Sequence, residues 1–450
     1  MASLWFQSAL LSQGWTERVR FNLNGGLIEF VETGVDPQPP DERHDVAVPG
    51  LCNVHSHAFQ RGMAGLAETR GPKGDNFWTW REVMYRFLDR LSPDDMEAIA
   101  ALAYIEMLEA GFTRVGEFHY LHHDPKGAAY ANIGELAERI AAATKETGIG
   151  LTLLPVFYAH SNFGGAAPVS GQRRFINSLS AFARLMQHCA AVVARLDDAN
   201  FGVAPHSLRA VTAEELHGIV PLALGGPVHI HAAEQTKEVD DCLASTGARP
   251  VQWLLDHAHI DRHWCLVHAT HMTGDETVRL AQSGAVAGLC PITEANLGDG
   301  IFPAVEYLGH DGHIGIGTDS NVQIDAAGEL RAVEYAQRLA WRARNVLASA
   351  EGRSTGRALF DRALAGGAQA LGQKSHGLQQ GAPADIVSLD RRDPTLSGRK
   401  GDALLDSWIF AGARPDCVWR FGRKLVENGR HREREKVAAR YRTTILRFLA

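Results

Sequence analysis

The sequence has no run of about 20 apolar residues, the length a helix needs to cross a bilayer, so no membrane span is expected. It has no C-x-x-C pair. Cys52, Cys189, Cys242, Cys265, Cys290 and Cys417 are scattered, which reads as reduced thiols in a cytoplasmic protein. It has no excess of positive charge. Its 45 basic residues stand against 52 acidic ones, a net −7, so nothing draws it to nucleic acid or to anionic membranes. No basic segment precedes the first apolar run, and Glu17 and Arg18 soon break that run, so no secretory signal is expected. There is no fixed-period repeat and no low-complexity segment.

What remains is ordinary globular composition, 45% hydrophobic and 22% charged, which excludes a disordered chain, a collagen and a disulfide miniprotein. The 450 residues suggest two or three domains at roughly 150 residues each, although one α/β barrel can fill about 250. The one excess is histidine, with 21 in the chain.

The first 48 residues read as short strands: 15–23, a turn at Asn24-Gly25-Gly26, then 27–31, then a Pro-rich stretch leading to Val46-Ala47-Val48-Pro49-Gly50. The far end looks similar, with strands expected over 384–389, 417–421 and 424–426. The tail from Glu433 to Leu449 has helical periodicity. The expectation is one small β-sandwich-like domain built from residues 1–48 and 380–450, with a C-terminal helix.

Between the flanks, over 49–379, apolar runs alternate with amphipathic stretches. Eight strands are expected at 51–57, 114–120, 150–158, 200–206, 227–234, 265–270, 285–293 and 313–320. Helices are expected at 94–110, 133–147, 173–196 and 212–222, among others. That alternation predicts an α/β fold, a (β/α)8 TIM-like barrel. The rival, a doubly wound sheet, would usually carry a Gly-rich phosphate turn after its first strand. Here the first strand ends in His55-Ser56-His57.

His55 and His57 lie two apart, so in a strand both imidazoles face one side and can reach one ion. His229 and His231 repeat the spacing in the fifth strand, with Glu234 just beyond. His268 ends the sixth strand and Asp319 the eighth. All stand at the C-terminal ends of barrel strands, the face where barrel active sites lie. Neutral imidazoles with one carboxylate suit one divalent ion, Zn²⁺ first and Fe²⁺ second. No lysine occurs in strands three or four to bridge a second metal.

These residues, with Val48-Pro49-Gly50-Leu51-Cys52-Asn53-Val54 ahead of them, resemble the amidohydrolase superfamily over essentially the whole chain. The His231-x-x-Glu234 spacing is similar to its deaminase branch. Finer stretches resemble the formimidoylglutamate deiminase family: 57–63, Phe77-Trp78-Thr79-Trp80-Arg81, Gly116-Glu117-Phe118-His119-Tyr120 and the run 290–300. Purine and triazine deaminases usually carry Cys-Pro-x-Ser-Asn where this chain has Cys290-Pro291-Ile292-Thr293-Glu294, a departure that counts against a nucleobase substrate.

The resemblance implies that His55, His57, His231 and Asp319 hold the metal. Glu234 is then the proton shuttle, Asp319 can accept a proton from water, and His268 polarises the reacting centre or assists proton transfer. His229 either backs a metal-holding residue or is a satisfied core histidine, the latter preferred. The implied substrate is dianionic N-formimino-L-glutamate, deiminated in histidine breakdown, with Gln60, Arg81, Tyr120, His206 and Arg209 as binding groups. The Trp-rich loop 77–80 could be a lid. Arg61 and Arg70 read as solvated, His119, His122 and His123 as loop residues, Cys52 and Cys290 as packing. A deaminase of a purine, pterin or other heterocycle would share the metal and differ in the pocket. A non-catalytic scaffold would have lost ligands or the shuttle. A homodimer is what the resemblance implies for assembly.

Overall fold

The computed structural model describes residues 2–72, 74–348 and 350–449. Met1 and Ala450, the limits of the expected outer domain, lie outside the described residues. The centre is a parallel sheet of strands Leu51–Ser56, Phe112–His119, Gly150–Phe157, Asn200–Phe201 with Ala204–Pro205, Val228–Ala232, Trp264–His268, Val286–Leu289 and His313–Ile316. The eighth strand pairs with the first, at Ile316 and Asn53. Val203 and Ser207 bridge Val228 and His231, so the ring closes at its fourth–fifth seam by single bridges rather than a ladder. A closed parallel ring with helices outside is the expected barrel, and the open doubly wound sheet is excluded.

The fourth strand departs from the continuous run expected at 200–206. At Gly202 the chain changes partners: Gly202 N–H bonds to Leu153, and Val203 N–H bonds to Pro227. A Cβ on Gly202 would stand 2.3 Å from the Pro227 carbonyl oxygen, so glycine permits this switch. The seventh strand stops at Leu289, short of the expected 293, because Pro291 opens the helix Pro291–Leu297. The helix expected from 173 begins at Leu179, where the Ser178 side chain caps Ala181 N–H.

The second sheet comes from both chain ends. Its strands are Ala2–Leu11, Gly14–Asn24, Leu27–Glu32, Glu42–Pro49, Ile386–Leu389, Pro415–Arg420, Arg423–Glu427 and Arg430–His431. All neighbours are antiparallel except Ala2–Leu11 with Glu42–Pro49. It encloses its own core of Phe6, Phe21, Ile28, Ile386 and Trp419. Glu42–Pro49 leads through Gly50 directly into the first barrel strand. The C-terminal helix Arg434–Leu449 lies on the barrel helix Pro93–Glu109, with Arg434 on Glu109 at 3.0 Å.

Candidate active site

His57 follows the first barrel strand, His55 and His231 lie within the first and fifth, and Asp319 comes just after the eighth. Their donor atoms all fall within 4.8 Å of one another. His55 Nε2 is 3.2 Å from His57 Nε2 and 3.1 Å from His231 Nε2. Asp319 Oδ1 is 3.5 Å from His55 Nε2 and 3.3 Å from His57 Nε2.

Backbone carbonyls fix how two of these rings present themselves. His57 Nδ1 donates to Phe118 and His231 Nδ1 donates to His206, each at 3.0 Å. A carbonyl only accepts, so the proton sits on Nδ1 and the Nε2 lone pair faces inward. Burial holds His55, His57 and His231 below their usual pKa, so they are neutral. Burial raises the pKa of Asp319, but the imidazoles around it, His55 first, outweigh burial and hold it below the usual range. Neutral nitrogens and a carboxylate crowded around one point repel unless a cation stands between them. The residues present therefore fit one divalent ion.

The turns that aim these groups are strained. Ala233, His268 and Asp319 have φ of 51°, 67° and 44°, a left-handed conformation that side chains disfavour. Buried carboxylates hold two of these turns and the one after His57. Glu238 accepts from Ala233 and Glu234 N–H groups at 3.3 and 3.2 Å. Glu294 accepts from Cys290 N–H at 2.9 Å and from His268 Nδ1 at 3.2 Å. Glu117, pushed up to about 8 by burial, accepts from Ala58 N–H at 2.8 Å, directly after His57. None of the three was expected from the sequence as a site residue. Their signal was a lone acid inside an apolar strand or at a short spacing from an expected one.

His268 Nε2 points at Glu234 (3.8 Å) and Asp319 (3.9 Å). Burial disfavours charge on His268, yet Glu234, Glu294 and Asp319 together raise it to about 10. Burial likewise pushes Glu234 up to about 7.

Above the cluster lies a small cavity, with about 50 Å³ free, lined by Gln60, Arg81, Tyr120, His206, Arg209, Glu234 and aromatic side chains. All five expected binding residues meet there. Gln60 Nε2 donates to Tyr120 Oη at 2.8 Å, and its Oε1 has no partner. The Nε atoms of Arg81 and Arg209 are buried and unpartnered among the described residues, and neither guanidinium forms an ion pair there. Burial opposes charge on Arg209, but Glu238 and Glu234 keep its pKa raised.

Some expectations need correction. Residues 77–80 are not a loop but the first turn of helix Phe77–Leu88, capped by Asn76, which carries Arg81 over the cavity. Arg61 is not a solvated residue. It pairs with Glu106 at 2.7 Å and donates to the carbonyls of Asn321 and Val322, steadying the loop after Asp319. His119 ends the second strand rather than lying in a loop, whereas His122 and His123 lie in the loop beyond it as expected, and all three are buried. His229 donates to the Ala370 carbonyl at 2.7 Å and stays outside the cluster. Cys52 and Cys290 are buried and free, as expected of packing residues.

A closed barrel with a His-His-His-Asp cluster, a paired acid and a capped polar cavity is the architecture of a metal-dependent hydrolase. The amidohydrolase family model matches residues 46–423, and the model described as "Formimidoylglutamate deiminase HutF, N-terminal domain" matches residues 1–45. The chain belongs to the amidohydrolase family, in the branch of the formimidoylglutamate deiminases. It is 49% identical to a formimidoylglutamate deiminase of Pseudomonas aeruginosa, over 97% of each chain. The crystal structure of an amidohydrolase from Brucella melitensis superposes with a TM-score of 0.98 at 56% identity over 100% of both chains. An adenosine deaminase from Xanthomonas campestris, solved with bound zinc, shares the fold at a TM-score of 0.81 and 21% identity, over 99% of this chain and 98% of that one.

Proposed function

We propose that this chain hydrolyses the formimino group of N-formimino-L-glutamate to N-formyl-L-glutamate and ammonia, the deimination step of histidine degradation. The observation that carries the substrate is the pair of guanidiniums, Arg81 and Arg209, which form no ion pair among the described residues and meet in the cavity beside the four-residue cluster. A bidentate guanidinium suits a carboxylate, and the substrate has two. The identity to the Pseudomonas aeruginosa enzyme supports the same reading.

His55, His57, His231 and Asp319 would hold one divalent ion, with zinc the choice that a His-rich borderline site favours over iron. When bound there, such an ion supplies the positive charge that acidifies an attacking water. Gln60, Tyr120 and His206 orient the formimino group, and Arg209 and Arg81 fix the carboxylates. Glu234 takes a proton from water as oxygen attacks the formimino carbon. It gives that proton to the imino nitrogen, which becomes an amino group on a tetrahedral carbon. The remaining hydroxyl proton then passes through the same carboxylate to that nitrogen as the carbon–oxygen double bond forms, the carbon–nitrogen bond breaks and ammonia leaves. His268, held by Glu294, faces the oxygen that gains charge and stabilises it. Residues 49–379 form the catalytic barrel in this reading, and residues 1–48 and 380–450 the outer domain. The reading places the enzyme in the cytoplasm as a homodimer.

A heterocycle deaminase would share the cluster, but two guanidiniums awaiting anions do not suit a neutral ring. A scaffold reading leaves the intact ligand set and acid unexplained. Chelation followed by dialysis is expected to abolish ammonia release from formiminoglutamate, and added zinc to restore it. Guanine and adenosine are expected to release none. Release from either heterocycle, with none from formiminoglutamate, would overturn the substrate assignment and keep the metal cluster.

A further inference from the structure

We propose that Trp78 is a positioning residue that sets the two substrate-binding arginines into one cation stack, and so determines the preference for a dicarboxylate. This rests on the dicarboxylate reading above. Three cations from three separate elements surround one indole. Arg81 Cζ lies 4.6 Å from the Trp78 ring centroid, Arg209 Cζ 5.6 Å and Lys237 Nζ 5.9 Å. Arg81 belongs to helix Phe77–Leu88, Arg209 follows the fourth barrel strand, and Lys237 lies in helix Thr236–Thr246.

Lys237 has a carboxylate, Asp241, at 2.7 Å. Neither Arg81 nor Arg209 forms an ion pair among the described residues. Glu238 and Glu234 act on Arg209 only through space and Tyr85 lies 5.6 Å from Arg81 Cζ, so Trp78 is the one group that faces both guanidiniums at once. An aromatic face is negative and attracts cations within about 6 Å of its centre. The Trp78 main chain is held in the helix cap, where its backbone N–H donates to the Asn76 side chain at 2.9 Å. It does not line the cavity where the cluster lies, so it acts through the arginines rather than on substrate. It also ties the helix that roofs the cavity to the barrel rim. A ligand with one carboxylate engages half of this stack, whereas a dicarboxylate uses both guanidiniums at the spacing the ring sets.

The test compares Trp78→Phe with Trp78→Leu and Trp78→Met in the zinc-loaded enzyme. It reads KM and kcat for formiminoglutamate, competitive inhibition by glutarate, metal content and circular dichroism. The Leu and Met variants are expected to raise KM and the glutarate inhibition constant about tenfold, with kcat changed less than about threefold. The Phe variant, which keeps a π face, is expected to stay within about threefold of the unsubstituted enzyme. If one apolar variant fails to fold, the other decides. Unchanged KM and glutarate inhibition in a folded Leu or Met variant would overturn the proposal. So would a Phe variant as impaired as those two, which would point to bulk rather than to the ring. If glutarate does not inhibit the unsubstituted enzyme at all, the dicarboxylate reading itself fails, and this proposal falls with it.

Discussion

Glu234→Gln is expected to keep its metal and lose ammonia release by at least about 100-fold. Glutamine has the same shape, so the turn held by Glu238 and the His-His-His-Asp cluster should persist. It cannot exchange a proton, and Glu234 is the acid of this site placed to do so. Its carboxyl is buried, stands 3.8 Å from His268 Nε2 and is raised to about 7. A group titrating near the working pH is the one best suited to take and return a proton. The sign of the pH dependence follows. Glu234 must begin as a carboxylate to accept the proton of water. In the unsubstituted enzyme kcat/KM therefore falls about tenfold per unit as pH drops below about 7, and this limb is absent from the variant. Near-normal turnover in Glu234→Gln would remove Glu234 from the mechanism. Metal loss would instead mean that the residue is structural.

Arg209→Met is expected to raise KM for formiminoglutamate by at least about 100-fold, the size of two charge-assisted hydrogen bonds lost together. Thermal stability should not fall. Arg209 is 4% exposed, and its Nε has no partner among the described residues. Glu238 and Glu234 offset the burial of this cation through space without touching it, so an apolar chain of similar length breaks no ion pair and removes the cost of burying a charge. Lost affinity together with a kept or raised Tm marks a residue retained for an anion rather than for the fold. A variant with normal KM would separate Arg209 from the substrate. A variant with a lowered Tm would assign it to the fold.

The metal cluster was legible in the sequence because strand geometry is simple. Residues two apart face the same way, so His55 and His57 share a target, and His229, His231, His268 and Asp319 stand at strand ends. The family resemblance is what singles out His231 and Asp319 from that group. The ring of strands was legible for the same reason, since apolar runs alternate with amphipathic ones. What was hidden depends on contacts that exist only after folding. Glu117, Glu238 and Glu294 hold backbone N–H groups at the ends of the barrel strands, and nothing in their spacing reveals that. The fourth strand breaks because Gly202 changes partners between Leu153 and Pro227, a tertiary event inside a locally strand-like segment. Residues 77–80 looked like a loop because three aromatics hide a helix start whose signal is the Asn76 cap. Arg61 reads as a surface cation until the loop after Asp319 folds over it.

The most direct measurement is ammonia release by the zinc-loaded enzyme from N-formimino-L-glutamate and, in parallel, from N-formimino-glycine. The glycine analogue has the same reacting group and lacks the side-chain carboxylate. Fast release from the first, with kcat/KM lower by at least about 100-fold for the second, is the expected result, because one of two guanidinium–carboxylate pairs is missing. Equal release from both would contradict the paired-arginine pocket. Release from neither, with metal bound, would contradict the deiminase itself.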